Sequence, residues 1–175
     1  MMRTQRKAFS MITAIFVIVL MATVAILVMN LSGKIVKETT AQYQKEQSVL
    51  LAKSYTEYAI MAVMSNDRNA TGNDCIENIN GFIGDDAASV NNGEGYLIDT
   101  RIAYISDNDA TNGSSVSTCT AERILDSSGI FTPESALNII VDVYVRYRDP
   151  DHPNIVTAPL TVPWVTYHRR TLQKI

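Results

Sequence analysis

From Phe9 to Met29 the chain reads FSMITAIFVIVLMATVAILVM, twenty-one residues without a charge. At about 1.5 Å of rise per residue, a helix of this length spans the roughly 30 Å hydrocarbon core of a bilayer. The run therefore divides the chain into a short N-terminal flank, 1–8, and a long C-terminal remainder. Arg3, Arg6 and Lys7 crowd the short flank. Positive charge beside a membrane helix stays cytoplasmic, so everything after Met29 is expected across the membrane. A secretory signal peptide shares the basic start, but its apolar region is about 7 to 15 residues long and ends at a small-residue cleavage site. Here the run is longer, and Met29-Asn30-Leu31-Ser32-Gly33 offers no such site.

Residues 30–34 form a polar exit, after which Ile35 to Met64 keeps helical period without proline or glycine. Leu31, Ile35, Thr39, Tyr43, Leu50, Ser54, Tyr58, Met61 and Met64 fall near one face, and the charged Lys37, Glu38, Lys45, Lys53 and Glu57 fall elsewhere. The pattern predicts a helix that continues from 30 to 64 and lays its apolar face on a soluble domain. A coiled-coil stalk would need an unbroken heptad seam, which Gln44-Lys45-Glu46-Gln47-Ser48 interrupts.

The junction Arg6-Lys7-Ala8-Phe9-Ser10-Met11-Ile12, where a basic leader meets a small residue and then Phe at the edge of the apolar run, resembles the N-terminus of a type IV pilin or type II secretion pseudopilin. The resemblance implies that a prepilin peptidase cuts between Ala8 and Phe9 and that Phe9 becomes N-methylated. It implies residence in a bacterial inner membrane with a periplasmic C-terminal domain. It also implies assembly with other pilins or pseudopilins through the N-terminal helix into a periplasmic or surface filament. The family usually has Gly where Ala8 stands and Pro near the membrane exit where Asn30 stands. Its fifth mature residue is usually a Glu that pairs with a neighbour's N-terminal amine, and here it is Thr13, which makes no such ion pair. Subunits without that Glu tend to be minor or tip components, so a minor subunit is implied.

The remainder of a 175-residue chain suffices for one modest domain, expected at 65–175 and packed on the helix. The net charge of −3 advertises no large basic surface. Both cysteines, Cys75 and Cys119, follow the membrane run, and an even pair in an oxidising compartment reads as a disulfide. Their spacing suggests neither a zinc knuckle nor a redox motif. Asp74 followed by Glu77 has capping-box spacing and predicts a short helix carrying Cys75, Ile76, Ile79, Phe82 and Ile83. Tyr96 to Ile105 and Leu137 to Arg148 read as strands, the second with Ile139, Val141, Val143, Val145 and Tyr147 on one face. The turn at Asp149 to Asn154 predicts an antiparallel hairpin onto a last strand from Ile155 to His168, with Trp164 in the core. Pro159 and Pro163 demote that strand to an edge.

Candidate chemistry is thin. Asp107 to Gly113 places oxygen ligands at alternate positions but lacks the sixth-place Gly and twelfth-place Glu of an EF-hand, so a solvated loop is the reading. His152 and His168 belong to no metal or triad motif, Ser127-Ser128-Gly129 is not a nucleophile elbow, and no phosphate-binding glycine loop occurs. No catalytic residue, metal or cofactor is expected. Arg146, Arg148, Arg169, Arg170 and Lys174 read as a solvated sheet face, with an acidic partner or nucleic acid as the second reading. The expectation is an α+β, pilin-like structural subunit with its long helix on a small antiparallel sheet. The alternative is an unprocessed single-pass anchor bearing a periplasmic sensor or scaffold domain.

Overall fold

The computed structural model describes residues 5–66, 75–86, 88–106, 124–126 and 138–175. Its first element, α1 (Gln5–Ser65), is one unbroken helix of 61 residues. The absence of proline and the presence of a single glycine, Gly33, leave nothing in the run to stop it. The chain divides into two compact units, Met1–Tyr43 and Gln44–Ile175.

In the first unit the described residues from Met11 to Thr39 are exposed all round the helix. Thr23 donates its hydroxyl to the Leu20 carbonyl at 2.8 Å, Thr39 to Ile35 at 2.8 Å and Thr40 to Val36 at 3.1 Å. Each hydroxyl is thus satisfied within the helix, which for Thr23, inside the apolar run, is what a polar side chain in an apolar medium requires. Among the described residues α1 is the one helix long and apolar enough to cross a membrane.

In the second unit the C-terminal part of α1 meets a sheet. β1 (Asn78–Ile83), β2 (Tyr96–Ser106), β4 (Asn138–Arg148) and β5 (Trp164–Lys174) lie antiparallel in the order β1-β2-β4-β5, and the short β3 (Ile124–Asp126) runs parallel to β2. The α+β expectation is met at this level. β4 alternates as its sequence predicts: Ile139, Val141, Val143, Val145 and Tyr147 are all buried, and they join Ile98, Ile102 and Tyr104 of β2. Ala52, Ala59 and Val63 of α1 close that core, with Ser48 and Thr56 buried beside them on the same helix face.

The segment expected as a capped helix is β1. Asn78, Asn80 and Gly81 are weak helix formers, and an edge ladder on β2, from Asn78 opposite Arg101 to Ile83 opposite Tyr96, satisfies their backbone groups instead. The Ile102 N–H extends the ladder to the Glu77 carbonyl at 2.8 Å, and the Tyr104 hydroxyl donates to the Ile76 carbonyl at 2.7 Å. The proposed cap, Asp74, lies outside the described residues.

The final hairpin also differs in extent. After the turn at 150–157 the chain forms a 3-10 turn at Pro159–Thr161, with Pro at its start, and β5 begins only at Trp164. Pro159 and Pro163 push the strand towards the C-terminus, where the proline-free stretch to Lys174 pairs with β4 along its whole length. β5 is an edge strand, as the prolines suggest. Trp164 is half-buried rather than part of the core. Gly93 closes the 3-10 turn Ser89–Asn92 at φ +84°, a conformation that favours glycine, with Ile155 and Pro150 packed where a Cβ would sit.

Candidate functional site

Two surfaces of the second unit carry unusual side chains. The first is on α1. The sheet covers the small residues Ser48, Ala52, Thr56, Ala59 and Val63, and leaves Leu50, Tyr58, Met61 and Met64 more than half exposed. At about 100° per residue these four lie on the side of the helix opposite the buried face. The face expected to close the core is thus the uncovered one. The reason is volume: bulky Ile, Val and Tyr side chains already fill the sheet's inner surface, so the helix contributes small ones. Ser48 and Thr56 become tolerable there by donating to the Lys45 and Ala52 carbonyls at 2.7 Å each. Tyr55 crosses the face of β1 at Gly81, where its hydroxyl occupies the position of a Cβ.

The second surface is the sheet face turned away from α1. Strand register places Asp99 and Arg101 of β2, Asp142, Tyr144, Arg146 and Arg148 of β4, and Trp164, Thr166, His168 and Arg170 of β5 on it together. Asp142 receives a two-pronged pair from Arg170, Nε to Oδ1 at 2.7 Å and Nη2 to Oδ2 at 2.8 Å. His168 Nε2 lies 2.8 Å from Asp142 Oδ1, and its ring stacks on Tyr144 at 4.4 Å between centroids. Arg101 pairs with Asp99 at 2.9 Å and reaches over the other side of this row, 5.3 Å from the Tyr144 ring. The hydrogen bond from Arg170 holds the Asp142 carboxyl below its usual range, opposed by burial and assisted by His168. Burial pushes the Tyr147 hydroxyl up, with a smaller push from Asp149.

Of the expected positions, Ala8 and Phe9 fall within α1, and Thr13 is exposed on it. Cys75 is buried against the core and is not a free thiol. Cys119, the 107–113 loop and Ser127 to Gly129 lie outside the described residues. His152 and His168 serve different partners: the first accepts from the Asn154 N–H at 3.2 Å within its turn, the second meets Asp142. Among the described residues no group of three or more His, Cys, Asp or Glu is placed to hold a metal ion. The arginines do not behave as one solvated face. Arg170 is exposed and paired, Arg169 lies across from Val143 on the inner face, and Arg148 is buried. The Asp142 cluster was not anticipated, because its members are 26 to 28 residues apart and only the β4–β5 register unites them. Comparison with protein-family models, curated proteins and solved structures finds no significant match.

Proposed function

We propose that this chain is a pilin-like structural subunit, a minor component of a type IV pilus or a type II secretion pseudopilus. In this reading the chain inserts with residues 1–8 cytoplasmic, is cut between Ala8 and Phe9 by a prepilin peptidase, and is then recruited among like helices. The Cys75–Cys119 disulfide and a non-enzymatic role belong to the same reading. Thr13, where the family carries Glu, favours a minor or tip position.

The observation that supports it is the form of α1. A membrane-length apolar run passes without interruption into a helix whose small-residue face is taken by the sheet. The same helix leaves a second, large-residue stripe of Leu50, Tyr58, Met61 and Met64 uncovered. An isolated soluble domain gains nothing from such a stripe, whereas a helix that packs among neighbours buries it. Exchange of lipid for other apolar helices around residues 9–29 lets a subunit leave the membrane without exposing that run to water.

The test is Met61→Glu in cells making the filament. The substitution is expected to leave the domain's stability within about 0.5 kcal/mol, as at other exposed positions, while incorporation into sheared filaments falls at least tenfold. Normal incorporation would count against the stripe as the packing surface. The alternative, an unprocessed anchor with a sensor or scaffold domain, draws its support from the ordered polar cluster around Asp142.

A further inference from the structure

On the outer sheet face Asp142 and Asp99 are both engaged, by Arg170 with His168 and by Arg101 respectively. Two guanidiniums of the same face have no such partner among the described residues. Arg148 is only 4% exposed, yet its Nε and Nη1 have no hydrogen-bond partner among the described residues, and neither has the buried Nε of Arg146. The nearest carboxylate in sequence, Asp149, is turned to its own loop, where its Oδ1 accepts the Asp151 N–H at 3.0 Å. Positions 146 and 148 are successive on one face of β4, about 7 Å apart along the strand. Two adjacent cations with buried N–H groups that have no hydrogen-bond partner are an arrangement that an anion stabilises, and the carboxylates described on this face, Asp99 and Asp142, are paired with other cations.

The surroundings shape a site. Trp164, directly opposite Arg148 in the β4–β5 register, lays its ring 4.4 Å from the guanidinium carbon, and Thr166, directly opposite Arg146, offers a hydroxyl. We infer that Arg146 and Arg148 form a binding site for a phosphate-type dianion, inorganic phosphate or sulfate, with Thr166 at its side and Trp164 as its cover. Two fixed positive charges match a dianion better than a single carboxylate, and N–H groups held without partners bind without losing a prior bond. The indole covers Arg148, so occupation moves it. This site does not depend on how α1 is used.

Trp164 is the only tryptophan in the chain, so its emission reports the site. The experiment titrates the full chain in a non-ionic detergent with sodium phosphate, and in parallel with sodium chloride at matched ionic strength. Phosphate should change the emission saturably and raise the melting temperature with concentration, as a ligand bound only to the folded state does; chloride should do neither. Arg148→Gln should abolish the response, Arg146→Gln should weaken apparent affinity at least tenfold, and Arg170→Gln should leave it unchanged. Equal effects of chloride and phosphate on the wild-type chain, or an unchanged response in Arg146→Gln, would overturn the proposal even if Arg148→Gln does not fold.

Discussion

Thr100 sits fully buried on β2, opposite Val143, and its hydroxyl has no hydrogen-bond partner among the described residues. A buried hydroxyl without a partner costs more than the methyl that would replace it, so Thr100→Val should stabilise the domain by about 1 kcal/mol in a urea titration. Gly81 is the converse case. A Cβ there meets the Tyr55 hydroxyl and, at 3.0 Å, the ring carbon bearing it. Gly81→Ala should destabilise by about 1 kcal/mol, at the low end for overpacking because the end of a tyrosine can swing. Adding Tyr55→Phe should recover part of that loss. Asp142 sets an acid limit. Its folded-state pKa is lowered, so the stability it contributes is complete above the unfolded carboxylate value, about 4, and is lost as pH falls through the folded value. Urea midpoints between pH 3 and 7 should therefore fall more steeply on the acid side for the wild type than for Asp142→Asn, which starts lower at pH 7.

At the scale of elements, legibility followed the strength of the period. α1 announced itself through a charge-free run and a proline-free continuation, and β4 through five alternate apolar residues that are all buried. β1 is ambiguous in sequence because Asp74 to Ile83 has both a capping-box spacing and strand-compatible isoleucines, and the free edge of β2 decides for the strand. The extent of β5 differs from the sequence pattern because two prolines shift a strand without abolishing it. The buried face of α1 is not the one its sequence suggests, because hydrophobicity alone ranks Leu50, Tyr58 and Met61 above Ala52, Ala59 and Ser48. The sheet selects by volume once its own inner face is filled. The Asp142 cluster, and the placing of Trp164 and Thr166 beside Arg148 and Arg146, depend on which strands become neighbours, and no local pattern in the chain encodes that.

For the whole molecule, the proposed subunit has a membrane-length helix, an uncovered stripe and a small α+β domain, and in that proposal it is processed before it assembles. In that proposal the apolar run is a prepilin-type segment rather than a permanent anchor. The most direct test is the N-terminal residue of the membrane-extracted protein, read by mass spectrometry from cells with and without prepilin peptidase. A mature chain beginning at N-methylated Phe9, with Met1 to Ala8 retained when the peptidase is missing, is the predicted result. An intact leader in both strains would contradict it and turn the reading to an anchored sensor or scaffold.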